Sequence, residues 1–82
     1  MSGNKKEVRI INNLSVYEED NYVVVKINPQ IYCMDCILSA SYFFMDRVYI
    51  IINGDPEKEV SVELRPKEKG INLEELGREY NN

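Results

Sequence analysis

The sequence predicts an α+β fold: a single small domain of order ββαββα, with an antiparallel or mixed sheet carrying its helices on one face. Three observations predict it. Apolar residues recur at every second position in four stretches, and at three- and four-residue spacing in two others. Clusters of Asn, Asp, Gly and Pro separate them. Spread over 82 residues, these elements suffice for one layer of sheet and one of helix.

Residues 1–7, MSGNKKE, are polar and read as a disordered tail, leaving residues 8–82 as the domain. Val8, Ile10, Leu14 and Val16 share one parity and predict a first strand, interrupted at Asn12-Asn13. Glu18-Glu19-Asp20-Asn21 is a turn. Over residues 22–27, Val23, Val25 and Ile27 face one side, and Tyr22, Val24 and Lys26 the other. This second strand forms a hairpin with the first. Asn28-Pro29 ends it.

From Cys33 the period changes. Cys33, Cys36, Ile37, Ala40, Ser41 and Phe44 make a helical stripe. The helix begins at or near Cys33, where Asp35 in the first turn suits the helix dipole, and it ends near Asp46. Residues 47–53 return to period two. Val48, Ile50 and Ile52 oppose Tyr49 and Ile51. With both faces apolar, this predicts the central strand, covered on both sides.

Asn53-Gly54-Asp55-Pro56 is the next turn. Val60, Val62 and Leu64 alternate with Ser61, Glu63 and Arg65, a half-exposed strand closed by Pro66. Asn72 caps a second helix through Leu73, Leu76 and Tyr80, with Glu74 and Glu75 in its first turn. Gly77 weakens that helix.

Composition removes several function classes. The net charge of −4 gives no basic footprint for nucleic acid. No apolar segment of signal-peptide type opens the chain, and the apolar run at residues 48–52 is far too short to span a bilayer. Two cysteines three positions apart close a loop that staples nothing, which points to a reducing, cytoplasmic setting. Histidine is absent. That excludes a His general base, a Ser-His-Asp triad, a Cys-His pair and a Cys2His2 zinc site within this sequence.

The candidate chemistry lies at Cys33-Met34-Asp35-Cys36. A helix N-terminus favours thiolate, and a Cys-x-x-Cys placed there cycles between dithiol and disulfide. The surrounding element order is not that of thioredoxin. The motif follows two strands rather than one, and no helix separates residues 47–53 from residues 60–64. A metal reading has only two thiolates, so a closed zinc site would draw its other ligands from a second chain or a partner. The structural alternative makes Cys33 a cap-like residue and Cys36 a small buried one.

Other groups read as structural. Tyr42, Phe43 and Phe44 suit core and rim, with Phe44 on the buried stripe and Tyr42 near the edge. Asp46 and Arg47 suit an ion pair where helix passes into strand. Glu74, Glu75 and Glu79 lie on a helix with no accompanying base, a solvated face. No Gly-rich loop precedes a Lys, so no phosphate loop is present.

Residues 31–52 carry a family resemblance. Tyr32, Cys36-Ile37, Ala40-Ser41-Tyr42, Phe44 and Asp46-Arg47-Val48-Tyr49 resemble the small HxsD proteins of His-Xaa-Ser systems. Leu64-Arg65-Pro66-Lys67, Leu73-Glu74-Glu75-Leu76 and Glu79-Tyr80-Asn81-Asn82 continue the likeness, which covers roughly residues 14–82. The resemblance implies a small cytoplasmic accessory protein. Such proteins are typically encoded beside a pair of radical S-adenosylmethionine proteins and a His-Xaa-Ser repeat protein that is their modification target. It implies no catalytic role for the small protein itself. No Cys-x3-Cys-x2-Cys cluster motif is present, so this chain is not the radical enzyme.

Two departures stand out. Cys33 and Cys36 occupy positions where such sequences usually carry Ser and Ala. The family pattern also continues past Asn82 into a further helix, which points to a shortened C-terminus. Lost cover of that kind would expose apolar surface and favour a homodimer or higher oligomer.

Together these features predict a non-catalytic binding protein that needs no catalytic residue, cofactor or metal. Its expected partners are the radical S-adenosylmethionine proteins or their His-Xaa-Ser peptide, and neither nucleic acid nor membrane. Its expected surface is an unpaired sheet edge that accepts an added strand. The alternative is a small thiol-redox or metal-handling protein that uses Cys33 and Cys36.

Overall fold

The computed structural model describes residues 8–81. The tail expected over residues 1–7 lies outside the described residues. Seven elements follow one another: β1 (Arg9–Ile11), β2 (Leu14–Tyr17), β3 (Tyr22–Ile27), α1 (Met34–Phe44), β4 (Val48–Asp55), β5 (Glu59–Pro66) and α2 (Leu73–Asn81). The strands form one antiparallel sheet in the order β1-β2-β3-β5-β4. The fold is α+β, and the expected succession of elements holds with one addition.

The addition is at the start. The expected interruption at Asn12-Asn13 is a complete reversal. Ile11 pairs with Leu14 across a two-residue turn in which Asn12 has φ 54°. Asparagine tolerates that left-handed conformation, so the single expected strand becomes the β1–β2 hairpin. Asn21, with φ 58°, closes the expected turn into β3, its N–H donating to the Glu18 carbonyl.

Register sorts the side chains. Leu14 pairs with Val25 and Val16 with Val23; Val23, Val25 and Ile27 pair with Leu64, Val62 and Val60. All eight are buried and form the sheet's inner face. Ile37 and Phe44 of α1, and Leu73, Leu76 and Tyr80 of α2, close over it. Asn72 caps α2 as expected, its side-chain carbonyl accepting the Glu75 N–H at 3.1 Å.

Two expectations are corrected. The strand holding residues 48–52 is not central: β4 is the sheet's outer strand, and β3 occupies the middle. Val48 is buried, but Ile50 and Ile52 are only half covered, and Ile51 is 44% exposed. Apolar residues on both parities fit either a doubly covered strand or an edge strand with a surface to offer, and the pattern alone does not separate them. The turn expected at residues 53–56 begins later, because β4 runs on through Asp55, opposite Glu59. Asp55 then holds the reversal, its carboxylate accepting the Glu57 N–H.

Gly77 is buried against Leu14, and a Cβ there would lie 2.9 Å from Leu14 Cδ2. This glycine is the close approach that seats α2 on β2 and β3, a packing role that offsets its low helix propensity.

Candidate functional site

The segment after β3 delivers the two cysteines to the surface. Asn28 organises it: its side-chain carbonyl accepts the Gln30 N–H, and its backbone carbonyl accepts the N–H groups of Ile31 and Tyr32. The chain then enters α1 with Cys33 at the N-cap in extended conformation. The Cys33 carbonyl accepts the Cys36 and Ile37 N–H groups, which starts the helix. Its side chain makes no capping hydrogen bond.

Instead the two sulfurs face each other, Cys33 Sγ 3.0 Å from Cys36 Sγ. Both thiols are free and exposed. Cys33 therefore occupies the cap position without capping, and Cys36 is not the small core residue of the structural alternative. Hydrogen bonding with the Cys36 thiol lowers the Cys33 pKa, helped by the Cys36 N–H, against desolvation and the charge of the Asp35 carboxylate. The same sulfur–sulfur hydrogen bond raises the Cys36 pKa, and the nearby Cys33 charge adds to the rise. Beside Cys36 opens an apolar hollow of about 220 Å³, with Ile31, Tyr32, Ile37 and Ala40 in its wall.

A second surface runs along β4. Its outer edge pairs with no strand among the described residues. A groove of about 430 Å³ separates it from α1, lined by Leu38, Tyr42, Met45, Tyr49 and Ile50, with Lys67 at its margin. Tyr42 is 74% exposed and Phe43 82%, so both stand out from the protein while Phe44 alone is core. The sequence held a signal for this groove. Leu38, Tyr42 and Met45 form a second helical stripe beside the buried one, leaving α1 apolar around most of its circumference.

The sheet's outer face carries a ladder of rings and cations. Tyr17 stacks on Tyr22 at 4.5 Å, Arg65 lies over Tyr22 at 4.2 Å, and Lys67 lies 5.1 Å from the Tyr49 ring centre. Glu63 pairs with Arg65. Desolvation raises the Tyr22 pKa, as do Tyr17 and Glu63. These rings and charges already satisfy one another, which suits a stiffened sheet face.

Asp46 and Arg47 do not form the expected ion pair. Arg47 reaches Glu79 of α2 at 4.0 Å and covers the Phe44 ring at 5.0 Å. It thus fastens the end of α1 to α2. Of the acidic cluster, Glu74 pairs with Arg78 and Arg9, and Glu75 lies exposed. Among the described residues, no group of three or more His, Cys, Asp or Glu could hold a metal ion. No helix among them is long and apolar enough to cross a membrane.

Fold and surfaces define a small α+β sheet-and-helix domain with an open apolar strand edge and a surface dithiol. The chain belongs to the HxsD family: the family model described as "His-Xaa-Ser system protein HxsD" matches residues 27–82, more than half of it. The match begins at Ile27, the last residue of β3, so β1, β2 and the rest of β3 lie outside it and the matched span is shorter than residues 14–82. Cys33, Cys36, the groove and the whole of β4 fall inside. No curated protein matches the chain, and no solved structure does.

Proposed function

We propose that this HxsD protein is a non-catalytic accessory protein of a cytoplasmic His-Xaa-Ser peptide-modification system, and that it holds an extended peptide segment as an added strand on β4. The observation that carries this reading is the unpaired β4 edge beside the apolar groove of Leu38, Tyr42, Met45 and Ile50. Strand addition supplies main-chain hydrogen bonds, and the groove supplies contact for alternate side chains of the incoming segment. The other edge strand, β1, has three residues, too short to hold a segment of similar length. The segment belongs to the His-Xaa-Ser repeat protein or to its radical S-adenosylmethionine partners.

Calorimetric titration with a synthetic His-Xaa-Ser repeat peptide, and with the purified radical proteins, tests this. Ile51→Lys places a charge along the edge, and Tyr42→Ala removes a ring from the groove; both side chains are exposed, so folding is retained. Each change is expected to weaken binding by about tenfold, the loss typical of an interface anchor. Binding that ignores both substitutions would place the docking surface elsewhere.

A further inference from the structure

The docking surface leaves Cys33 and Cys36 unused, and their geometry has its own consequence. We infer that Cys33 and Cys36 form a reversible dithiol/disulfide couple that exchanges with an accessible disulfide, Cys33 attacking and Cys36 resolving. The inference is independent of strand addition on β4.

Four observations carry it. The sulfurs are 3.0 Å apart on the first turn of one helix, so their bonding needs little backbone movement. Both thiols are exposed, so a partner disulfide reaches them. The two positions differ: Cys33 stands at the N-cap beside the free N–H groups of the first turn, and its pKa is lowered while that of Cys36 is raised, which favours thiolate at Cys33. Finally, the apolar hollow walled by Ile31, Tyr32, Ile37 and Ala40 lies directly beside Cys36. It has room for one apolar side chain flanking the partner's cystine. Since no third ligand group joins the pair among the described residues, the geometry favours exchange over a metal site within one chain.

The exchange balances. The Cys33 thiolate attacks one sulfur of the partner disulfide. A Cys33–partner mixed disulfide forms as the partner's S–S bond breaks and its second sulfur leaves as thiolate. The Cys36 thiol then gives up its proton and attacks the Cys33 sulfur. The Cys33–Cys36 bond forms, and the partner's remaining sulfur leaves. Two electrons pass from the protein dithiol to the partner disulfide, which departs as two thiols.

Equilibration of the intact protein in reduced and oxidised glutathione buffers, with acid quenching and maleimide mass counting, tests the couple. The expected result is one intrachain disulfide with a single two-electron midpoint. Cys36→Ser should then accumulate a mixed disulfide at Cys33, and Cys33→Ser should form its adduct about tenfold more slowly at neutral pH. Circular dichroism of both variants checks that the fold is retained.

Two probes distinguish the source of the disulfide. A cystine-bridged peptide with a leucine beside the cystine should outpace oxidised glutathione if the substrate is a polypeptide. Equal rates assign it to low-molecular-weight disulfides. Two variants reacting at equal rates, with no intrachain disulfide in the wild type, would overturn the inference. So would thiols that become unreactive by binding one zinc ion per two chains.

Discussion

The Tyr80 hydroxyl of α2 meets the Ser41 hydroxyl of α1 at 2.8 Å, and each also lies 3.0 Å from the Ile37 carbonyl. Two hydroxyl protons thus serve three contacts, and the α1 backbone is bound to α2 inside the core. The Phe44 ring, 5.6 Å from that of Tyr80, seals the cluster. Tyr80→Phe keeps the ring and removes one donor. Ser41 retains the Ile37 carbonyl, so the expected loss is about 1 kcal/mol. A lowered thermal midpoint with unchanged circular dichroism checks it.

The same phenol sets an alkaline limit. Burial raises the Tyr80 pKa above its ordinary 10.0, against the lowering effect of Ser41. Above pH 10 the unfolded chain releases this proton while the folded one keeps it. The folded state then binds more protons, so stability falls as pH rises. The contribution is complete below pH 10 and is lost as pH climbs through the folded pKa. Urea midpoints between pH 9 and 11.5 should decline, and Tyr80→Phe should decline less steeply. Equal slopes would assign the effect to other groups, Tyr22 among them, since its pKa is raised too.

Gly77 supports the same helix by its size. Alanine would bring about 1 kcal/mol of helix propensity. Its Cβ would meet Leu14 Cδ2 at 2.9 Å and Cδ1 at 3.0 Å, in a side chain only 2% exposed. Overpacking a filled core typically costs about 1–3 kcal/mol, so the clash outweighs the propensity. Gly77→Ala should therefore destabilise modestly and Gly77→Val severely, in denaturant unfolding. A stabilised Gly77→Ala would mean that Leu14 moves aside freely.

Much of this fold was legible in periodicity. The inner-face positions of β3 and β5, the turn at residues 18–21, the start of α1 and the Asn72 cap all follow from spacing and local chemistry. What periodicity missed shares one cause. Gly77 reads only as a weak helix former because propensity is local, while the packing role it also has depends on Leu14, sixty-three positions away. The strand expected over residues 47–53 reads as central because sequence reports how apolar a strand is, not what lies beside it. The Cys-x-x-Cys motif was visible, but whether Cys36 turned inward or out depended on how α1 sat over the sheet. The partner of Arg47 lies on another helix, so adjacency misassigned it to Asp46.

The corrected strand order moves the cost of core truncation. Leu64 of β5 is fully buried between β3 and β4. Leu64→Ala should cost about 2–5 kcal/mol, comparable with the whole stability of so small a domain. Ile50, half covered on the outer strand, should cost less than half as much. Paired denaturant melts of Leu64→Ala and Ile50→Ala check the ranking, and a reversed order would restore β4 to the centre.

The exposed thiols predict the opposite outcome for stability. Cys33 makes no capping hydrogen bond, and both side chains face solvent. Serine at position 33 would add a capping hydroxyl at an N-cap, where it is favoured. Cys33→Ser with Cys36→Ala should leave the thermal midpoint unchanged or slightly raised under reducing conditions. It should leave peptide binding on β4 intact as well. A marked fall in the midpoint would show that the sulfur pair has a structural role.

The β4 edge also predicts self-association. Its central residues read Tyr49-Ile50-Ile51-Ile52-Asn53, and an antiparallel two-fold axis through Ile51 would set Ile50 opposite Ile52 of the partner subunit. A symmetric contact of this kind continues the sheet across two chains and covers the half-exposed isoleucines of both. The free protein should therefore form a homodimer, with the docked peptide competing for the same edge. Light scattering over a concentration series should show the dimer mass at high concentration. Ile51→Lys should shift it to monomer by placing two like charges face to face on the axis. Added peptide should do the same without any mutation. A wild-type protein that stays monomeric throughout the series would mean that the β4 edge is kept open for its partner alone.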